Sequence, residues 1–262
     1  MVFESAVEVI KRGALTQDVL ERIFAGNLGA ARVRNFWTPD ECAGALQSID
    51  LTLFEQYNPG HYSSRAFRIG PSLNEHRLSG AVSERYWQSV DEGWDLWRRC
   101  MPDARLHDDF LAKLTALWDG PVRPATSGGR SMYWGLVRRM ADGTMVHWDD
   151  VRTEFPVPIF DDVLVGQITV NIFLRAPQQG GELNVWSRAR ELAHETARIG
   201  YGYHRDKVVP EEPDVCVRPE VGDAIFFSSC NYHSVKKVRK GDRVAFTLFL
   251  GAGEDGTLLL WS

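Results

Sequence analysis

The stretch VGQITVNIFLR, residues 165–175, decides how this chain is read. Its even positions Ile168, Val170, Ile172 and Leu174 are apolar, while Gln167, Thr169 and Asn171 occupy odd ones. A period of two predicts a β-strand with one oily and one polar face. Working outward, SMYWGLVRRM and MVHW before it, and GELNVW, DVCVRP, AIFFSS, SVKKV, RVAFTLFLG and TLLLW after it, also read as strands, bounded by Gly, Pro, Asp or Asn. Between Ser187 and Asp206 the pattern predicts a helix and loop inserted among the strands. Upstream of a turn-rich linker, DGPVRPATSGGR at residues 119–130, the texture becomes mostly helical.

AVEVIKRGAL and TQDVLERIFAGN read as helices, the second with Thr16 as a cap and an end near Gly26. ARVRNF suits a strand. WTPDECAGALQSI opens with Thr38, Pro39 and Glu41 in capping-box positions. Residues 57–83 lack periodicity and read as a long loop. From Tyr86 to Trp118 apolar residues recur every three or four positions, predicting one or two helices broken near Pro102, with Trp87, Trp94, Trp97 and Trp118 in the core. The expected class is mainly β with N-terminal helices. The chain is read as a single domain over residues 1–262, its helical part at 1–125 and its β core at 126–262.

Composition excludes several classes of function. With 30 Lys+Arg against 35 Asp+Glu the net charge is −5, and 44% of the 262 residues are apolar, so the chain can bury a core and is not disordered. A mildly acidic chain without a basic block argues against nucleic acid and anionic membranes as partners. No run approaches the roughly 20 apolar residues of a spanning helix. Cys42, Cys100, Cys216 and Cys230 form no C-x-x-C pair, and the start lacks the apolar run of a secretory signal, which predicts a reducing, cytoplasmic setting.

The chemistry is carried by His147-Trp148-Asp149, whose first and last side chains share one face of a strand and are arranged to chelate. His233, after the apolar strand AIFFSS, can supply a third ligand. Two imidazoles and one carboxylate form the facial set of non-haem Fe(II), leaving positions open for substrates and dioxygen. Arg243, ten residues further on, suits a bidentate grip on a carboxylate. In order the pattern is His147-Trp148-Asp149, Gly180-Gly181-Glu182-Leu183, Gly222-Asp223-Ala224-Ile225-Phe226-Phe227, His233 and Arg243.

This ordered set resembles the Fe(II)/2-oxoglutarate-dependent oxygenases, with the prolyl-hydroxylase-like arrangement of motifs. The likeness covers Ala31 to Leu46 and Ser131 onward, and is nearest in feel to carrier-independent halogenases of the welwitindolinone and hapalindole type, which share the terminal Trp261-Ser262. Those halogenases have Gly where this chain has Asp149, so the resemblance implies hydroxylation or a related C–H oxidation. It further implies a double-stranded β-helix (jelly roll, cupin-like), iron held by His147, Asp149 and His233, and Arg243 paired with the distal carboxylate of 2-oxoglutarate. Dioxygen then drives decarboxylation of that cosubstrate to succinate and CO2. The expected substrate is a small molecule, a free amino acid or natural-product intermediate. The alternatives are a peptidyl or prolyl hydroxylase, or a jelly-roll binding module without turnover.

Further candidates follow from position. Thr169 and Asn171, on the polar strand face, are candidate cosubstrate contacts, and Thr247 shares a face with Arg243. Asp150 is a candidate for a substrate cation. One of Arg138 and Arg139 must point inward. The loop from His61 to Arg77 holds Arg65, Arg68 and His76 and is a candidate lid. His107, His194 and His204 lie outside ligand spacing and read as non-catalytic. Trp148 must face away from its two neighbours and pack.

Overall fold

The computed structural model describes residues 3–57, 66–78, 81–100 and 105–262. In chain order it contains β1 (Ser5–Ile10), α1 (Gln17–Phe24), β2 (Leu28–Val33), α2 (Pro39–Ser48), β3 (Ala66–Ile69), α3 (Glu84–Cys100), α4 (Leu106–Leu117), β4 (Val122–Pro124), β5 (Leu136–Met140) and β6 (Leu164–Arg175). There follow β7 (Leu183–Ala189), β8 (Val215–Val217), β9 (Ala224–Phe227), β10 (Asn231–Val235), β11 (Val244–Gly253) and β12 (Leu258–Trp261). A large sheet runs β1-β2-β9-β6-β11-β5-β3, with β12 on β11 and β4 on β12, and a small one runs β8-β7-β10. Leu183, Val185 and Val215 of the small sheet pack on Phe173, Ile225, Phe227 and Ala245 of the large one. Two sheets, antiparallel except at the β1–β2 and β4–β12 pairs, close face to face in this way and form a double-stranded β-helix.

The period-two alternation of β6 explains the layers. Ile168, Val170, Ile172 and Leu174 of β6 join Leu20 and Ile23 of α1, Cys42 and Ala45 of α2, Trp97 of α3, and Phe110 and Leu114 of α4 in one core. Gln167, Thr169 and Asn171 point the other way, yet are only 3%, 5% and 8% exposed. The polar face is therefore the lining of the barrel rather than a solvated surface. Trp87 and Trp118 are buried alongside Trp97, as expected of core residues.

Local chemistry accounts for the firm boundaries. The capping box of α2 is closed in both directions, with Glu41 N donating to Thr38 Oγ1 at 3.2 Å and Thr38 N to Glu41 Oε2 at 2.6 Å. Gly222 has a φ of +83°, and a Cβ there would meet Trp37 O at 2.1 Å, so the turn before β9 requires glycine. Asp223 beside it takes Arg32 Nε at 2.6 Å and Asn35 N at 3.0 Å. The Gly-Asp pair thus fastens β2 to β9.

Several sequence readings need correction. Residues 5–10, read as helix, form β1 and pair in parallel with β2; alternating β-branched Val7 and Val9 and a neighbouring ladder outweigh the propensity of a short helix. Part of the linker at 119–130 is strand β4, added to the edge of β12. The insertion after β7 holds a 3₁₀ turn at Leu192–Ala197 and a short helix at Arg205–Val208 in place of a longer helix. MVHW makes only isolated bridges at Val146 and His147. The strand expected at SVKKV ends at Val235 and begins earlier, at Asn231. Thr16 stands at the start of α1 without a side-chain cap. The loop at 57–83 contains β3; Arg65 and His61 of the candidate lid, and Pro102, lie outside the described residues.

Candidate metal centre and active site

His147 and His233 face each other across an isolated antiparallel bridge beside β10. His147 N donates to His233 O at 2.9 Å and His233 N donates to His147 O at 2.8 Å. Directly opposed residues send their side chains to one side. The two ring centroids accordingly lie 4.2 Å apart. Each Nδ1 faces a main-chain oxygen two residues back, Met145 O at 2.8 Å and Asn231 O at 3.0 Å. A carbonyl can only accept, so the ring proton sits on Nδ1 and both Nε2 lone pairs are left for a ligand.

Asp149 is brought to the same point by its backbone. Its N donates to Ser229 O at 2.9 Å, and its O accepts from Gln167 Nε2 at 3.0 Å. Asp149 Oδ2 then lies 3.4 Å from His233 Nε2 and 3.8 Å from His147 Nε2. One ligand atom from each of the three residues falls within 4.8 Å of the others. Burial, and next the neighbouring His233, push the His147 imidazole down to about 4. Burial pushes the Asp149 carboxyl up, but His147 and His233 outweigh it and hold it at about 2. At neutral pH the site therefore offers a neutral imidazole and an ionised carboxylate, the forms that bind metals.

Arg243 enters the barrel from the start of β11 and is 3% exposed. Its guanidinium lies 4.9 Å from the Phe173 ring centroid, and among the described residues its Nε has no hydrogen-bond partner. Burial, then the charge of Arg138, lower its pKa to about 10, so it stays a cation at neutral pH. Gly181 of the Gly180-Gly181 motif has a φ of +77°, and a Cβ there would meet Pro177 Cγ at 2.6 Å, so the turn before β7 requires glycine. Thr169 Oγ1 is buried and also lacks a partner among the described residues. Asn171 Oδ1 accepts from Thr247 Oγ1 at 2.8 Å, tying two candidates together across β6 and β11.

Other candidates are placed elsewhere. Asp150 caps the turn at Val151–Glu154, accepting from Arg152 N at 3.1 Å, and its carboxylate is gripped by Arg152 Nε at 2.8 Å and Nη2 at 2.9 Å. Both oxygens are thus engaged by Arg152, where the sequence reading expected a substrate cation. Arg138 points inward, and Arg139 pairs outside with Asp242 at 3.1 Å. Arg68 is committed to Glu75 at 2.6 Å and Glu55 at 3.1 Å. His107 Nε2 donates to Trp134 O at 2.9 Å, within a box of Trp94, Trp97 and Phe246.

Sequence reasoning missed the residues that hold the ligands still. Gln167 Oε1 accepts from Val151 N at 2.9 Å while its Nε2 reaches Asp149, so one amide spans the turn behind the carboxylate. Its place on the polar face of the decisive strand was the available signal. Trp148 faces away from the ligands, as expected, and its Nε1 donates to Tyr203 OH at 3.0 Å. Met145 N donates to Tyr201 OH at 2.8 Å, and Tyr232 OH meets His194 Nδ1 at 2.9 Å. The insertion after β7 thus braces both ligand segments from behind, a tertiary relation with no sequence signal.

Comparison with known proteins fits this geometry. A model of the 2OG-Fe(II) oxygenase superfamily matches residues 136–251. Over 256 residues the chain is 32% identical to L-gamma-glutamyl-L-propargylglycine hydroxylase of Streptantibioticus cattleyicolor, covering 97% of this chain and 95% of that protein. The chain belongs to the 2OG-Fe(II) oxygenase superfamily. It is also 28% identical over 255 residues to leucinostatins biosynthesis cluster protein S of Purpureocillium lilacinum, covering 87% of this chain and 98% of that one. An N-substituted L-amino acid dioxygenase of Burkholderia ambifaria shares the fold at a TM-score of 0.58 and 15% identity, over 94% of this chain and 91% of that one. Iron and 2-oxoglutarate are the cofactors of this superfamily, and a largely enclosed N,N,O donor set, with Arg243 Nε and Thr169 Oγ1 buried and without partners among the described residues, fits both. Among the described residues no helix is long and apolar enough to cross a membrane.

Proposed function

We propose that the protein is an Fe(II)- and 2-oxoglutarate-dependent hydroxylase of a small amino-acid derivative, with His147, Asp149 and His233 as the iron ligands. The observation that carries this reading is the convergence of two Nε2 atoms and Asp149 Oδ2 on one point. Arg243 and Thr169 would hold the cosubstrate: the guanidinium takes its distal carboxylate and the hydroxyl donates a hydrogen bond. With dioxygen, the iron and cosubstrate together supply oxidation of a C–H bond, with release of succinate and CO2. The chain's own share is positioning. Nδ1 donation to Met145 and Asn231 carbonyls fixes both ring orientations, Gln167 fixes the Asp149 turn, and the barrel wall limits water.

Asp149 separates this reading from halogenation, because a carboxylate fills the position that a halide needs. The amino-acid class is supported by the hydroxylase of γ-glutamyl-propargylglycine at 32% identity. The test is succinate release and product mass across a panel of free and γ-glutamyl amino acids, with Fe(II) and 2-oxoglutarate. A mass gain of one oxygen atom per succinate is the expected result. Metal-independent turnover contradicts the reading, and Fe(II)- and 2-oxoglutarate-binding without turnover on any substrate favours a binding module.

A further inference from the structure

The segment that carries His147 has a neighbour on each edge. His147 bridges His233 of β10 on one, and Val146 bridges Tyr203 in the antiparallel sense on the other. Tyr203 belongs to a short hairpin in the insertion after β7, in which Gly202–Tyr203 pairs with Arg198–Ile199. Directly opposed residues share a face and successive ones alternate. Tyr203 and Val146 therefore lie together on the face away from His147, where they pack with Trp186 and Tyr232. The next pair of this register sets Gly202 opposite His147, on the metal-facing side. A Cβ at Gly202 would meet Met145 Cβ at 2.6 Å and Val146 O at 2.8 Å, so this position carries no side chain. The space in front of it is taken by the residue before. The Tyr201 ring, from the hairpin turn, lies edge-on to His147 with centroids 5.5 Å apart and planes at 73°.

His147 thus has two ring neighbours, His233 and Tyr201, of which only His233 belongs to the donor set. The Tyr201 hydroxyl accepts from Met145 N at 2.8 Å, which anchors the phenol to the segment that carries the ligands. Unlike the buried Tyr203, Tyr201 is partly exposed. The hairpin around it ends openly: a Cβ at Gly200 would meet nothing within 4 Å, and Ile199 is 44% exposed. A rigid ring held at the border between the metal ligands and open space is a surface for packing. An apolar group gains by leaving water against such a ring, whereas a polar group that finds no hydrogen bond there loses its hydration without return. We propose that Tyr201 is a specificity-determining residue, whose ring walls the substrate site beside the metal and selects an apolar side chain on the amino acid to be hydroxylated. This inference rests on the functional reading above and narrows its substrate class.

The test uses full-length enzyme loaded anaerobically with Fe(II) and 2-oxoglutarate, whose visible charge-transfer absorption reports cosubstrate binding and shifts when substrate arrives. The probes are L-γ-glutamyl-L-propargylglycine and L-γ-glutamyl-L-asparagine, in which an amide of similar size replaces the alkyne. Wild type should bind the alkyne at least about tenfold more tightly than the amide. Tyr201→Phe keeps the ring and should keep that preference to within about threefold. Tyr201→Ala should weaken the alkyne about tenfold, the effect of losing part of the apolar contact, and the amide less than about threefold, so that the preference largely disappears. Affinity for Fe(II) and 2-oxoglutarate should stay within about threefold in both variants, which shows that they are folded and separates a substrate wall from a brace for His147. The inference is overturned if Tyr201→Ala loses the absorption band, if the preference survives in Tyr201→Ala or vanishes in Tyr201→Phe, or if wild type binds the two probes alike or binds neither. Absence of the band in wild type overturns the functional reading itself, and this inference with it.

Discussion

Asn171 and Ile172 are neighbours on β6, 8% and 0% exposed, and they live in opposite chemical worlds. Ile172 belongs to an apolar core closed by the helices. Asn171 faces a barrel in which Thr169 Oγ1 and Arg243 Nε are buried without hydrogen-bond partners among the described residues. Burial alone does not distinguish the two faces; hydrogen-bond accounting does, because a folded protein rarely leaves polar atoms buried and unpaired unless something else completes them. The same contrast separates two histidines lowered to about 4 by burial. His107 is enclosed by aromatic rings, whereas His147 directs Nε2 towards Asp149 and His233.

The sharpest way to break the comparison is Asp149→Ala. It removes a ligand and should lower hydroxylation by at least about 10³-fold, read as product per succinate, while the melting temperature of the metal-free protein stays near wild type; retained hydroxylation would rule out the ligand set. On the helix side, Phe110→Ala should cost about 3–5 kcal/mol of stability through a cavity in the core. Denaturant unfolding measures it, and in the folded fraction 2-oxoglutarate affinity should be unchanged.

His107 tests the same side by pH. Its folded pKa of about 4 lies below the ordinary 6.5, so folding excludes a proton that the unfolded chain binds. Its contribution is present in full above pH 6.5 and is lost as pH falls from there towards 4, by up to about 3 kcal/mol. His107→Leu should flatten the unfolding midpoint across that window; an unchanged slope would show that the box does not depress this imidazole. On the barrel side, Arg243→Ala should weaken 2-oxoglutarate by roughly 10²-fold, about 2–3 kcal/mol, in a binding titration. Thr169→Val, the mildest change, should cost about 1 kcal/mol in the same titration, near fivefold. If Thr169→Val instead leaves cosubstrate binding untouched and stabilises the fold, its hydroxyl is merely a buried cost.

The legible parts of this molecule were those written locally. Period-two patterning located β6, the capping box located α2, and the ordered set of His147, Asp149, His233 and Arg243 named residues that the fold brings to one barrel. What escaped was whatever depends on a distant neighbour. Residues 5–10 are a strand because β2 lies beside them. Asp150 turns to Arg152, and Gln167 matters because the turn after Asp149 lands against it.

Residue type and spacing by themselves determined the available chemistry: two imidazoles, one carboxylate and one guanidinium, on strands of alternating character. Tertiary structure alone decided that the His147 and His233 main chains pair directly and that both Nε2 atoms are left free. The physical reason is one of range. Side-chain alternation and capping are set by bonds between near neighbours, whereas the convergence of ligands depends on which strands close against one another, and that is settled only when the two sheets bury their shared core.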